Sequence, residues 1–398
     1  MADYEACNGV TIGSLEACNG VSKANIEAIN GLTVPAAATG ATRWVIATQN
    51  GYIAHAANSD RTSWSSYDGY AESGGQNDGD SESIAFGKNA SGQSIFCASR
   101  ATANSGSQTI EITVSGTDVT STGTWQNIDI DGDTGHKQAL MDVIWGAATD
   151  GATAGVWLAV GKQFNKTVHR STNGASSFSS VSLAGLTGHV GGSASSEYIN
   201  GAASDGAGRF MFAQGPRIYY STDSAASFAV STPFSSQTPG RAQNIVFTKG
   251  VGGAVDSWVL AYSRQSKINF RSCAASDITD WGAETRANNM QQTTTNGRNV
   301  KMATAGGRVA AFTESHTKLY RFDVDGKTIS NLTEITLPET PRDIACDGTT
   351  WLISCNDGHI LESTDNAETW TKIVDGYQAD GSTALDLEAI TCDVILPI

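Results

Sequence analysis

Seven times along this chain a short apolar run recurs with the same character: Trp44-Val-Ile-Ala, Ile95-Phe-Cys-Ala, Trp157-Leu-Ala-Val, Phe210-Met-Phe-Ala, Trp258-Val-Leu-Ala, Val309-Ala-Ala-Phe and Trp351-Leu-Ile-Ser. The start-to-start spacings run from 42 to 62 residues. A self-similar period of that size belongs to a repeat architecture in which each unit is one supersecondary element that buries its apolar face against its neighbours. The most complete unit lies near the C-terminus. It reads Asp343-Ile-Ala-Cys-Asp-Gly, Trp351-Leu-Ile-Ser-Cys, His359-Ile-Leu-Glu and Trp370-Thr-Lys-Ile-Val, with Asp347-Gly348, Asp357-Gly358 and Asp365-Asn366 between the runs. Four short apolar runs separated by turn residues describe a four-stranded antiparallel meander. Seven such meanders predict an all-β fold, a seven-bladed β-propeller over residues 35–398.

The ends of the chain predict how the ring closes. The first unit begins at its second strand, Trp44, with no first strand before it. The C-terminal Ile390-Thr-Cys-Asp393 repeats Ile344-Ala-Cys-Asp347, so the last residues are expected to supply the missing innermost strand of the first blade. Such a closure removes an exposed strand edge.

Composition narrows the function classes. With 40 acidic against 25 basic residues the formal charge is −15, which argues against nucleic acid as a partner, because phosphate binding relies on clustered Lys and Arg. No apolar run approaches the ~20 residues of a membrane-spanning helix, so no membrane insertion is expected. The N-terminal residues carry neither a basic region nor an apolar stretch of the secretory kind. Seven cysteines without CxxC spacing, including Cys97, Cys346, Cys355 and Cys392 inside apolar runs, read as small core residues of a protein made in a reducing cytoplasm.

Before the propeller lies an arm, residues 1–34, built on an eleven-residue period: Asp3-Tyr-Glu-Ala-Cys-Asn-Gly9, Ser14-Leu-Glu-Ala-Cys-Asn-Gly20 and Asn25-Ile-Glu-Ala-Ile-Asn-Gly31. Each copy starts on a good N-cap, carries Glu in what would be a first turn and ends in Asn-Gly, which predicts three single-turn helices joined by extended links. Apolar residues recur at Tyr4, Leu15 and Ile26 and again at Val10, Val21 and Leu32. Some thirty residues cannot bury such a stripe alone, so the arm is expected to dock. Tandem Asn-Gly-Val repeats at the start of a chain resemble those of virion structural proteins of tailed bacteriophages. The resemblance covers residues 3–34 and implies that the arm attaches a C-terminal module to the particle.

A second motif recurs where the third strand of a unit turns into the fourth. It reads Ser363-Thr-Asp365-Asn-Ala-Glu-Thr-Trp370, Ser221-Thr-Asp223-Ser-Ala-Ala-Ser-Phe228 and Ser171-Thr-Asn173-Gly-Ala-Ser-Ser-Phe178. Aromatics at Trp64, Trp125, Phe178, Phe228, Trp281 and Trp370 keep nearly the same period, and the sixth unit has no such motif. The motif resembles the Asp-box of sialidases and related propellers, with Ala175, Ala225 and Ala367 where the family has Gly. Its acidic or amide side chain is expected to hold the turn's own backbone while the aromatic closes the hairpin base. That role is structural.

The resemblance raises a glycosidase alternative. Sialidase-like enzymes need three convergent Arg, an activated Tyr and an acid/base Asp; Arg43, Arg61, Arg100, Arg217, Arg241 and Arg271 are present, but none stands in the family's Arg-Ile-Pro context. Other glycosidases need two facing carboxylates, and nothing in the sequence singles out a pair. Asp129-Ile-Asp131-Gly-Asp133-Thr-Gly135 and Asp78-Gly-Asp80-Ser-Glu82 resemble calcium loops, but the first has Gly one position late and Leu140 where the bidentate Glu belongs. Tyr198, Tyr219, Tyr220, Tyr262 and Tyr320 are candidates for a sugar-binding face, though strand tyrosines more often pack. The expectation is a non-enzymatic virion protein, a tail, fibre or capsid appendage present in several copies, with no catalytic residue, cofactor or metal. Its arm would bind other virion proteins and its propeller would form a platform with a further role in binding host-surface glycan. A depolymerase and a cellular assembly factor of the Asp-box propeller kind are the alternatives.

Overall fold

A computed structural model describes residues 41–48, 51–68, 81–99, 112–120, 125–128, 130, 140–161, 167–186, 199–234, 241–291, 300–314, 316–382 and 384–395, together with six two-residue strands of the arm. The chain divides into two compact units, Met1–Thr39 and Gly40–Ile398.

The larger unit consists of seven four-stranded antiparallel sheets. The innermost strands are Ala389–Cys392 in blade 1, Ile84–Lys88 in blade 2, Leu140–Gly146 in blade 3 and Ile199–Ser204 in blade 4. Arg241–Thr248, Val300–Ala305 and Pro341–Cys346 serve blades 5, 6 and 7. Each innermost strand meets that of the next blade, and the C-terminal strand meets those of blades 7 and 2, so the ring is closed. The seven apolar runs read from the sequence are the second strands, among them Arg43–Ala47, Val156–Gly161 and Trp351–Cys355.

Those strands are apolar on both sides because each blade is sandwiched between two others. Trp44, Trp157, Trp258 and Trp351 have no exposed surface, and the apolar clusters they join span neighbouring blades. Two of the buried indoles find partners: Trp44 donates to Asn58 Oδ1 of its own blade and Trp157 to the Lys88 carbonyl of blade 2, each at 2.9 Å. Cys97, Cys273, Cys346, Cys355 and Cys392 are buried free thiols, and burial pushes each of them up, away from thiolate reactivity.

The closure is a strand pairing, Ala389 opposite Ala47 through Cys392 opposite Trp44. Polar contacts reinforce the seam. Ile390 N donates to Asp343 Oδ2 at 3.0 Å, and Thr42 N and Arg43 N both donate to Asp393 Oδ1. Farther out, Arg61 of blade 1 grips Glu362 of blade 7 through two parallel hydrogen bonds of 3.2 and 2.8 Å.

The arm corrects the helical expectation. Ala6–Cys7 pairs antiparallel with Val10–Thr11, Ala17–Cys18 with Val21–Ser22, and Ala28–Ile29 with Leu32–Thr33. Asn-Gly lies between the partners each time, and this dipeptide is the preferred centre of a two-residue β-hairpin loop as well as a helix C-cap. A single turn pays the full nucleation cost of a helix for one hydrogen bond, and the residues after Asn-Gly are Val, Val and Leu, so the hairpin wins. Val10, Val21 and Leu32 are the strand residues that follow the turns; Tyr4, Leu15 and Ile26 lie outside the described residues.

In an antiparallel meander the turns between first and second and between third and fourth strands leave by one end of the blade. The second-to-third turns and the blade-to-blade crossovers leave by the other. The two ends of the ring, the hairpin end and the crossover end, are built differently.

Candidate functional site

At the hairpin end stand the three Ser-Thr-Asp/Asn turns. In blade 7, Ser363 Oγ donates to Asp365 Oδ1 at 2.8 Å and accepts from Ala367 N at 3.0 Å. The Asp365 carboxylate then accepts from Glu368 N, Thr369 N and Thr369 Oγ1. Burial pushes this carboxyl up, but the hydrogen bonds from the Thr369 hydroxyl and backbone, Ser363 and Glu368 outweigh it and bring it down to about 2. Asp223 is held alike by Ser221, Ser227 N and Ser227 Oγ. Asn173 keeps the geometry with one donor reversed: its amide gives a hydrogen bond to Ser177 Oγ, a hydroxyl that can take either role.

Ala175, Ala225 and Ala367 adopt φ of +63°, +59° and +62°. The left-handed region costs an L-residue about 1–2 kcal/mol, and burial of a methyl returns about 0.8 kcal/mol. All three methyls are fully buried, which offsets part of that cost at these positions.

These hairpins seat one blade on the blade before it. Gly174 lies so close to the Asn89–Ala90 turn of blade 2 that an added Cβ would sit 2.0 Å from Ala90 N. Thr149 N of blade 3 donates to Ser224 Oγ of blade 4 at 2.8 Å. Arg308 of blade 6 donates to the Asn366 carbonyl of blade 7 at 3.1 Å. The aromatics close the bases: Phe228 is buried edge-on against Phe212, while Phe178 and Trp370 are half-buried. Blade 6 has only Gly326-Lys327 between its outer strands, which is why its motif is missing.

At the crossover end the central channel is girdled by a polar collar that the sequence reading did not single out. Four innermost strands carry a β-bulge near their start, at 140–142, 199–201, 242–244 and 341–343. A bulge re-aims the next side chain. In blades 3, 5 and 7 that side chain is Asp142, Asn244 and Asp343, and each reaches both neighbours. Asp142 accepts from Ser83 Oγ of blade 2 at 2.6 Å and from Ala202 N of blade 4 at 3.0 Å. Asn244 donates to the Val300 carbonyl of blade 6 at 2.9 Å and presses its Oδ1 against Gly201 of blade 4, where a Cβ would lie 2.1 Å away. Asp343 accepts from Ile390 N of blade 1 and faces Lys301 Nζ of blade 6 at 3.6 Å. Lys301 is almost wholly buried, also stands 3.8 Å from Glu314, and reaches the Glu82 carbonyl of blade 2 at 3.4 Å. Three residues on alternate blades thus tie the seven innermost strands together. Below them the channel, about 210 Å³, is lined mainly by small and aliphatic side chains such as Ala85, Ala203, Ile245, Ala303 and Ala345.

Both oxygens of Asp142 are engaged, and those of Asp343 face a backbone N–H and an ammonium. The arrangement suits an inter-blade fastener, because a general acid or base must keep an oxygen free for substrate. Tyr219, Tyr262 and Tyr320 are buried strand residues: Tyr219 stacks on Phe212 at 4.8 Å, and Tyr262 and Tyr320 each donate to a glutamate, Glu284 and Glu334, at 2.6 Å. Burial drives both phenols up, Tyr320 to about 12, the wrong direction for a nucleophile. Arg61 and Arg271 are spent on Glu362 and the Pro233 carbonyl, on different blades. Arg100, Tyr198 and the loops at 78–80 and 131–139 lie outside the described residues. Among the described residues no three His, Cys, Asp or Glu side chains form a metal-holding group, and no helix is long and apolar enough to cross a membrane.

No family model matches the chain, and no curated protein matches it in sequence. Among solved structures it is similar to apo AztD from Citrobacter koseri, at 14% identity over 88% of this chain and 98% of that one, with a TM-score of 0.52. It is also similar to PpgL, the periplasmic gluconolactonase of Pseudomonas aeruginosa, at 11% identity over 87% and 96% with a TM-score of 0.52. The likeness is one of fold. At these identities it shows the propeller, and the chemistry of a site must come from the residues that line it.

Proposed function

We propose that the chain is a non-enzymatic structural protein of a tailed-bacteriophage particle, made in the host cytoplasm, in which the N-terminal arm attaches a rigid propeller platform. The observation that carries this reading is the arm: three eleven-residue copies, each with the same hairpin pairing, in a unit distinct from the propeller. Repeating hairpins of two-residue strands bury too little to be stable alone, so they call for a surface to lie on. The three seated turns at the hairpin end are read as Asp-boxes of the sialidase-like kind with Ala in place of Gly, serving cohesion between blades. The collar supports a platform role, since its carboxylates are committed to joining strands. Other virion proteins are the proposed partners of the arm, and host-surface glycan is the proposed ligand of the propeller.

The test is co-expression of the full chain with its neighbouring genes, followed by isolation of assembled particles or subassemblies. The protein is expected in them at a fixed stoichiometry and absent when residues 1–34 are removed. Its recovery only as a free species would contradict the reading.

A further inference from the structure

Two clefts at the hairpin end flank the Ser171–Phe178 turn. One lies between that turn and blade 2, the other between blade 3 and the corresponding turn of blade 4, and each has a volume of about 270 Å³. Asn173 lines both and is fixed by its bonds to Ser171 and Ser177, so the divide between the clefts is rigid.

Their lining is chemically selective. The first cleft offers Ser91, Thr117 and Gln126 around an aliphatic floor of Ile95, Val114 and Ile128, and none of the described residues that line it is charged. The second offers Thr172, Ser179 and Ser180, with Arg170 as its one charge. Among the described residues no acidic side chain lines either cleft, in a chain that carries 40 of them and a net charge of −15. Among the described residues nothing in the chain takes the side chains of Ser91, Thr117, Gln126, Thr172 or Ser179 as hydrogen-bond partners, and all five are exposed. Hydroxyl and amide groups both donate and accept. A ligand that matches them must offer both at short intervals over an apolar underside, as a sugar ring does with its hydroxyls and its C–H face. A carboxylate in the lining would favour cations, and a lining with no hydroxyl or amide groups a lipid or a hydrophobic peptide; among the described residues the clefts carry no carboxylate, and hydroxyl and amide groups rim the aliphatic floor.

We propose that these two clefts form one extended subsite for a neutral oligosaccharide, with Gln126 and Thr117 binding one residue, Thr172 and Ser179 another, and Asn173 between them. This deepens the glycan role named above and rests on it.

The experiment probes an immobilised array of bacterial surface oligosaccharides and polysaccharides with the full-length protein, then measures the strongest soluble oligosaccharide by titration calorimetry. Gln126→Ala combined with Thr172→Ala is expected to weaken that binding at least tenfold, and Ser91→Trp, which fills the first cleft, to abolish it. All variants should melt within a degree or two of the parent, since these side chains are exposed and no described residue hydrogen-bonds to them. Thr328→Ala, on the outer strand of blade 6, should bind as the parent does. Binding that survives all the cleft variants, failure to bind any glycan on the array, or capture of an extended peptide in preference to sugar would overturn the proposal. Particle incorporation separates this result from the broader reading: a protein that enters particles but binds no sugar loses only the subsite. One that binds sugar through these residues but never enters particles loses only the virion role.

Discussion

Replacing Gly174 by alanine tests whether the hairpins seat one blade on the next. Gly174 has φ +71°, and a Cβ there would fall 2.0 Å from Ala90 N and 2.3 and 2.4 Å from the Asn89 C and Cα atoms. Three costs and gains combine. The left-handed conformation costs about 1–2 kcal/mol. Overpacking against backbone, which cannot rotate away as a side chain can, adds about 1–3 kcal/mol. The stiffer unfolded chain returns about 0.4–1 kcal/mol. The net is a destabilisation of about 1–4.5 kcal/mol. Gly151→Ala is the internal control, because Gly151 has φ +74° but nothing within 4 Å of its Cβ position. Its net cost is about 0–1.5 kcal/mol by the same reasoning. With an unfolding entropy of about 2.1 cal/mol/K per residue over the larger unit, Gly174→Ala should lower the melting temperature by about 1–6 °C, and by about 1–4 °C more than Gly151→Ala, whose own shift is no more than about 2 °C. Differential scanning calorimetry on the two variants reads the difference directly. Equal shifts would mean that the hairpin does not lean on blade 2.

Other expectations follow from the closure, the collar and the turns. Deleting residues 387–398 removes buried Leu387, Ala389, Ile390 and Cys392; at about 1.5–3 kcal/mol for each large side chain, plus the exposed edge of Arg43–Ala47, the loss rivals a typical total stability, so aggregation or non-cooperative unfolding is expected by calorimetry and light scattering. Asp365 has its carboxyl held at about 2 when folded, below its unfolded value, so its contribution is present above about pH 4 and is lost as pH falls toward 2. Acid titration of the melting temperature should show a smaller decline in this window for Asp365→Asn than for the parent. Incubated with sialosides or bacterial polysaccharide, the protein should release no reducing sugar; turnover that disappears in Asp142→Asn or Asp343→Asn would turn the collar into an active site.

Much of the fold was legible because its signals are redundant. Seven buried second strands repeat a pattern that only a doubly covered strand shows, and Ile390-Thr-Cys-Asp393 matches its counterpart, Ile344-Ala-Cys-Asp347, at three of four residues. The collar was not legible, although Asp142, Asn244 and Asp343 each stand just before an apolar run. What makes them partners is a one-residue bulge, and a bulge leaves no mark in the alternation beyond a single extra residue. The arm was misread for a different reason. Asn-Gly serves both a helix C-cap and a hairpin loop, and the preceding Ala-Cys and Ala-Ile pairs do not decide between them; the β-branched and leucine residues after the turn do. The clefts flanking Asn173 draw on residues from three blades, and no local window contains them.

The central claim, that the arm is the anchor, is tested most directly by Leu15→Asp combined with Ile26→Asp in the full chain. If these side chains are buried on docking, the pair contributes about 3–6 kcal/mol, so attachment should weaken by about two to four orders of magnitude. Incorporation of the variant into particles is measured against the parent, alongside the melting temperature of each free protein. Loss of incorporation with unchanged melting is the expected result. Normal incorporation with normal melting would show that the arm does not hold the protein on the particle.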